Sequence, residues 1–252
     1  MNVLHIVGGL PSEKKPYHHT FVKSQIDSLK KLSINVDVID LEGNTSSLNY
    51  IKYTGKIKGE LISKKIDLIH AHYSYCGLSA LLTRTKIPII LSLMGSDLLG
   101  SADENGKVTL RGHFDKILSR YVSNHVDQII VKSKQMADKL NLKVPVEVIP
   151  NGVDFTFFRP MDKIECRKKL KLDEKKFLIL FLGNPQLNRK NFKLAKSSAE
   201  EFINQVGSSE AEFISPFGNS QEDIVLYLNA CDVLLLTSYW EGSPNVIKEA
   251  IA

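Results

Sequence analysis

The stretch that most constrains this chain lies near its end. It runs Asp232-Val-Leu-Leu-Leu-Thr237, then Ser-Tyr-Trp-Glu241-Gly-Ser243-Pro244-Asn245-Val246-Ile-Lys-Glu249-Ala. Asp232 to Thr237 is a short apolar run, the pattern of a parallel strand buried on both faces and covered by helices. Ser243 before Pro244 predicts a helix start, with a side chain that can cap followed by a ring already at helical φ with no N–H to satisfy. Strand, glycine-containing turn and helix together define a junction at the carboxyl end of a strand, where open α/β sheets bind ligands. The N–H groups of Asn245 and Val246 are then expected at the positive end of the helix dipole, set to receive a phosphate.

Two glutamates frame that junction. Glu241 lies on the turn, and Glu249 shares a helix face with Asn245, four residues before it. Two carboxylates so placed can hold two hydroxyl groups of a ligand whose phosphate docks between them, and a nucleotide sugar has that shape. A pair of glutamates alone would read as an exposed loop acid and a solvated helix acid. The ordered context of strand, Glu, Gly, Ser-Pro and Glu favours the functional reading.

The stretch resembles the signature of Glu, seven residues and Glu found in retaining glycosyltransferases of family 4, whose fold is GT-B. The resemblance implies that Glu241 contacts the donor sugar and Glu249 the ribose of the nucleotide. It also implies a chain continuing through more strands and a closing helix. Ala252, inside the motif's own helix, is therefore expected to end a truncated copy or fragment.

Composition bounds the rest. With 43% hydrophobic and 24% charged residues the chain suits a soluble globular protein. No run of eighteen apolar residues occurs that could cross a bilayer. The start, Met1-Asn-Val-Leu-His-Ile-Val, has no basic leader and reads as a first strand. Cys76, Cys166 and Cys231 lack metal spacing and are expected as reduced, mostly buried thiols of a cytoplasmic protein. The net charge of +5 falls in its entirety before residue 155. It suits an anionic lipid surface or merely a solvated helix exterior, and it falls far short of a nucleic-acid patch.

Taken in order, Asn2 to Val7 is a strand ending at Gly8-Gly9, which either brings backbone close to the donor or turns the chain. A helix follows with Phe21, Val22, Ile26, Leu29 and Leu32 on one stripe. Strands are expected over Ile34 to Leu41, Ile66 to His72, Ile87 to Leu93, Asp127 to Val131 and the run from Val144. Helices are expected over Ser46 to Lys65, Cys76 to Thr85, Arg111 to Asn124 and Ser133 to Leu140. The segments Phe21-Val22-Lys-Ser-Gln25, Asp67-Leu-Ile-His-Ala-His72 and Gly95-Ser-Asp97 resemble the acceptor half of family 4 enzymes. Relatives often carry His where this chain has Met94. That leaves Asp97 as the polar group at the crevice, either catalytic or a loop cap. His70 and His72 read as strand histidines on one sheet face. The turn Pro150-Asn151-Gly152-Val153-Asp154 marks a passage between domains in the resembling family.

The second unit starts with a helix over Asp162 to Leu170 and a buried strand over Lys176 to Gly183. Asn184-Pro-Gln-Leu-Asn-Arg189-Lys190-Asn191 then opens another helix, and Arg189 and Lys190 are expected to neutralise a diphosphate. One short strand fits between Val206 and Ser220, and Ser220-Gln-Glu-Asp223 caps the next helix.

The sequence thus predicts an α/β protein of GT-B-like architecture, two doubly wound parallel-sheet domains facing a cleft, the second incomplete. Residues 1–154 would form the acceptor side, and residues 155–252 a partial nucleotide-sugar domain. The expected activity moves a sugar from a nucleotide diphosphate sugar to a glycan or lipid-linked acceptor, with retention, in the cytoplasm or peripherally on the inner membrane face. No Asp-x-Asp occurs, so neither metal nor cofactor is expected, and no nucleic-acid partner. The catalytic candidates are Glu241, Asp97 and Lys190. The donor-binding candidates are Gly8, Gly9, Arg189, Ser243, Pro244, Asn245, Val246 and Glu249. The alternatives are a binder of nucleotide sugars without turnover and a nucleotide-sugar epimerase, which would need an acid/base pair such as Asp97 and Glu241.

Overall fold

The apolar runs become strands that pair in parallel throughout, in a computed structural model that describes residues 1–42, 47–140 and 143–252, the side chains of residues 47–49 excepted. The chain divides into two units. One comprises Met1–Ser12, His18–Ser101 and Val108–Gly152, and the other Glu13–Tyr17, Ala102–Lys107 and Val153–Ala252.

The first unit is built on β1 (Asn2–Val7), β2 (Asn35–Asp40), β3 (Leu68–His72), β4 (Ile89–Ser92), β5 (Gln128–Val131) and β6 (Val146–Val148). They form one six-stranded sheet in the order β2-β1-β3-β4-β5-β6. Leu4, Ile6, Ile69, Leu91 and Ile129 are fully buried on the central strands, the burial expected of parallel strands covered on both faces. The helices are α1 (Thr20–Lys31), α2 (Ser47–Ser63), α3 (Ser74–Leu81), α4 (Ser96–Leu99), α5 (Leu110–Ser123) and α6 (Lys134–Ala137). The expected helix start at Ser46 lies outside the described residues. α1 buries Val22 and Ile26 of its predicted stripe. α3 is pressed so closely into the fold that a Cβ on Gly77 would stand 2.8 Å from Val122 Cγ1 and 2.9 Å from Leu91 Cδ1. Only glycine fits there.

The second unit has β7 (Phe177–Leu180), β8 (Ala211–Ile214) and β9 (Val233–Leu234) in the order β8-β7-β9. Its helices are α7 (Lys163–Leu170), α8 (Phe192–Val206), α9 (Gln221–Ala230) and α10 (Asn245–Ala250). Ser220 and Asp223 close the predicted capping box at the start of α9, and Asp162 caps α7 through Glu165 N–H. Arg167, 3% exposed, ties the unit together. Its guanidinium donates to the carbonyls of Ala230, Glu174 and Lys176 and to Asp232 Oδ2, which also accepts from Leu178 N–H.

The strand expected over Asp232 to Thr237 is shorter than its apolar run. Only Val233 and Leu234 join the ladder, pairing β7 alone, and Val233 and Leu236 are 39% and 36% exposed. An apolar run forms a central strand only with a partner on each side, and among the described residues none pairs with β9 opposite β7.

Candidate active site

The second unit's sheet fixes where its site must be. From β7 the chain crosses to β8 on one side and then to β9 on the other, so the winding reverses between β7 and β9. A crevice at the carboxyl ends of two such strands is where doubly wound folds take ligands. Beyond β7 lies a 3₁₀ turn, Asn188–Lys190, which leads into α8 through Asn191 at a left-handed φ of 50°. Beyond β9 comes the segment around Glu241. The two segments are stitched together. Tyr239 N–H donates to the Arg189 carbonyl at 3.0 Å, and Thr237 Oγ1 donates to the carbonyls of Lys190 and Asn191 at 3.1 and 3.0 Å. The Arg189 guanidinium reaches the Trp240 carbonyl at 3.0 Å.

This stitching brings together three charged residues that stand 51 and 52 positions apart in pairs. Glu241 Oε1 lies 2.6 Å from Lys190 Nζ, and Oε2 lies 2.7 Å from Arg189. Ser238 Oγ donates to Oε1 at 2.7 Å. The three charged side chains are only 16–21% exposed. Burial alone would push the Glu241 carboxyl up, but Lys190 and Arg189 outweigh it and hold the group below the ordinary range. Sequence reasoning assigned Arg189 and Lys190 to a diphosphate and Glu241 to the turn before α10, yet it missed that the cations are engaged by the glutamate. It also missed Ser238 and Thr237, whose signal was their place in the same polar run.

Along the turn into α10 the details shift by one residue. Pro244, at φ −68° and ψ 114°, is the N-cap, and Asn245 is the first helical residue. The expected capping by Ser243 is not made, because an extended ψ at Pro244 delays the helix by one position. Pro244 offers no side-chain acceptor in its place. Val246 follows in the same first turn. Glu249 is half-buried on α10, and burial pushes its pKa up to about 7 against the opposing pull of Lys248.

The remaining candidates belong to the first unit. Gly8 and Gly9 follow β1, and the Gly9 carbonyl accepts a 2.8 Å hydrogen bond from the His19 ring. Asp97 is 1% exposed. Its carboxylate accepts from the N–H groups of Met94, Gly95 and Leu98 at 2.9–3.1 Å and from Ser74 Oγ at 3.3 Å. Burial still pushes its pKa up to about 6 against these amides. Those bonds are those of a loop cap, with every acceptor turned to the chain itself.

His70 and His72 do share one face of β3, and His5 joins them from β1, where the register sets it beside His70. His72 stacks on His70 and His5 at centroid distances of 4.2 and 5.1 Å, His5 and His70 are tilted at 4.8 Å, and His5 Nδ1 meets His72 Nε2 at 2.9 Å. Burial lowers the pKa of all three, that of His5 to about 4, so they pack as neutral rings. Alternation along β1 was the available signal for His5.

The sequence profile of glycosyltransferase family 4 matches residues 12–157, more than half of the chain. The chain belongs to glycosyltransferase family 4. An uncharacterised glycosyltransferase of Methanocaldococcus jannaschii is 28% identical over 226 residues, 81% of this chain and 59% of that protein. The chain therefore spans about three fifths of that relative's length. A Bacillus subtilis glycosyltransferase named for teichuronic acid biosynthesis, TuaC, is 24% identical over an alignment covering 100% of this chain and 79% of its own length. Among solved structures, sucrose-phosphate synthase from Thermosynechococcus elongatus superposes with a TM-score of 0.73 at 14% identity, covering 99% of this chain and 78% of that one. HepE of Anabaena, determined with UDP and glucose, gives a TM-score of 0.61 at 16% identity over 100% of this chain and 78% of its own. These likenesses establish the fold as α/β of the GT-B kind, with parallel sheets.

Proposed function

We propose that this family 4 chain transfers a sugar from a nucleotide diphosphate sugar to a glycan or lipid-linked acceptor, with retention and with neither metal nor cofactor. The observation that carries the reading is Glu241 clamped by Lys190 and Arg189 at the switch point of the second sheet. Two cations converging on one anionic seat beside the first turn of α10 suit a diphosphate as well as they suit a carboxylate. The donor's diphosphate would take over Lys190 and Arg189, which then stabilise the charge of the leaving nucleotide. Glu241, released from them, would turn to the hydroxyl groups of the sugar. Its contacts are then with Ser238 and those hydroxyl groups, the partners of an orienting rather than a nucleophilic carboxylate. Ser243, Asn245 and Val246 would line the phosphate side, and Glu249 would hold the ribose. In this reading the chain works in the cytoplasm, touches the inner membrane face peripherally and has no nucleic acid among its partners.

The epimerase alternative needs a second acid or base. Asp97, the candidate, has its acceptors committed to Met94, Gly95, Leu98 and Ser74, so transfer is the preferred reading.

Titration calorimetry with UDP and GDP tests the donor site. Glu249→Ala is expected to weaken the preferred nucleotide by about 1–3 kcal/mol, the value of one charge-assisted hydrogen bond. Unchanged affinity would remove Glu249 from the site. Turnover should also persist in EDTA, and loss of activity restored by magnesium or manganese would refute metal independence. NMR of the product's anomeric centre tests retention.

A further inference from the structure

Helix α5 is inside out. A surface helix normally buries its large apolar residues and turns its polar ones to water. The buried face of α5 consists of Gly112, Asp115, Ser119, Val122 and Ser123. Two of its polar members are paired inside the unit: Asp115 accepts from the Tyr75 hydroxyl at 2.8 Å, and Ser119 Oγ donates to the Asp97 carbonyl at 2.7 Å. Four of its large apolar residues are outside, while Leu118 is half-buried and Val122 buried. Leu110 is 90% exposed, Ile117 69%, Phe114 58% and Tyr121 54%.

Their spacing makes this a surface. Positions 110, 114, 117 and 121 recur at steps of four, three and four, so the four side chains form one narrow stripe along the helix. At about 100° per residue that stripe lies opposite the buried face. Arg111 flanks it on one side, and His113 and Arg120 flank it on the other. None of these three is in an ion pair among the described residues. The only carboxylate on α5 is Asp115, and it is buried. The outer face is therefore apolar along its centre, with an arginine on each side and no acidic side chain.

An apolar stripe with an arginine on each side is suited to the boundary between headgroups and acyl chains: the apolar side chains enter, and the long basic side chains reach back to anionic headgroups. No described helix is long and apolar enough to cross a membrane, so contact through α5 would lie along the surface. We propose that the outer face of α5 docks this chain on an anionic lipid surface. This gives the membrane contact of the reading above a definite location, and it rests on that part of the reading alone. A lipid-linked acceptor would then be met at the bilayer by the unit that carries α5.

The test is cosedimentation of the chain with vesicles of phosphatidylcholine alone and of phosphatidylcholine with phosphatidylglycerol, in the absence of donor and acceptor. Binding is expected only to the anionic vesicles and should weaken with added salt. Phe114→Ser with Ile117→Ser should reduce partition about tenfold or more, as expected when two apolar side chains no longer enter. Arg111→Glu with Arg120→Glu should abolish the preference for anionic vesicles. All four positions are exposed, and circular dichroism should report the fold unchanged. Equal binding to both vesicle types, or anionic binding that survives both pairs of substitutions, would overturn the proposal. A concentration-dependent dimer in sedimentation velocity that the apolar pair abolishes, without vesicle binding, would assign the face to a second copy of the chain and overturn it equally. Donor titration on the same preparation keeps this outcome separate from that of the transfer reading.

Discussion

Two strand ends in this protein each hold a carboxylate largely withdrawn from water, and they hold it by opposite means. Asp97, after β4, is fixed by backbone amides and one serine hydroxyl, and burial still carries its pKa up to about 6. Glu241, after β9, is fixed by the side chains of Lys190, Arg189 and Ser238, and its pKa falls below the ordinary range although burial opposes it. Amide dipoles compensate a buried charge only in part, whereas two full charges nearby do more than compensate. The amides are also part of the loop's own backbone, so they cannot be surrendered without undoing it. Lysine and arginine side chains can exchange one anion for another. A carboxylate of the first kind builds structure, and one of the second kind can yield its place to a ligand.

The largest effect expected from this contrast is on stability. Asp97→Ala leaves three N–H groups without their acceptor, those of Gly95 and Leu98 in buried bonds, and a loss of about 3–5 kcal/mol is expected in chemical denaturation. The pH dependence has a definite sign. Because the folded pKa is raised from 3.8 to about 6, the group's contribution is fully present below 3.8 and is lost as pH rises through 6. Asp97→Asn should remove that slope. Glu241, with a depressed folded pKa, gives a slope of opposite sign: its contribution holds above 4.5 and is lost as pH falls through the folded value. If Asp97→Ala costs under about 1 kcal/mol, the amides around it are satisfied by other means and the contrast fails.

The two strand ends also differ in how well the sequence announced them. The apolar runs of β1, β3, β4 and β7, the capping pair Ser220 and Asp223 and the turn around Glu241 are local patterns, and local patterns are legible. The hold on Asp97 was half legible, since its amide donors are sequence neighbours, but its burial depends on Ser74 and on Ser119 of α5. The pairing of Glu241 with Arg189 and Lys190 spans about fifty positions, and only the crossover through β8 and α9 brings it about. Composition could not reveal the inverted face of α5 either. Its residues alternate as any amphipathic helix does, and nothing in the period says which face turns inward. The length of β9 was misjudged for a related reason, because an apolar run signals a capacity for pairing and not the presence of a neighbour.

The second expected effect is on catalysis and binding together. If Glu241 occupies the seat of the donor's diphosphate, Glu241→Gln removes a competing charge while keeping the shape. Turnover should fall about a hundredfold, the scale of losing one electrostatic contact to the reacting group. Free nucleoside diphosphate should instead bind about tenfold more tightly at low salt. Calorimetry and initial rates measured on one preparation decide this. Nucleotide binding that is unchanged or weaker would mean the carboxylate does not compete for the cations, and Glu241 would then resemble Asp97 as a fixed element of structure.

The smallest effect sharpens the comparison most closely, because it concerns the one neutral group in the Glu241 clamp. Ser238 Oγ donates to the same oxygen that Lys190 holds, and it does not depend on a cation that the donor could take away. When the diphosphate engages Lys190 and Arg189, Ser238 is the partner that remains to keep the carboxylate directed at the sugar. Ser238→Ala should therefore lower kcat by about threefold to tenfold, the worth of one hydrogen bond of about 0.5–1.5 kcal/mol, while KM for the donor stays near its original value. Ser238→Thr retains the hydroxyl and should recover most of the rate. A merely structural serine would give a different result, with KM and thermal stability moving together and threonine, the bulkier residue, failing to rescue. That outcome would leave Glu241 held by cations alone, with nothing to steer it once they are taken.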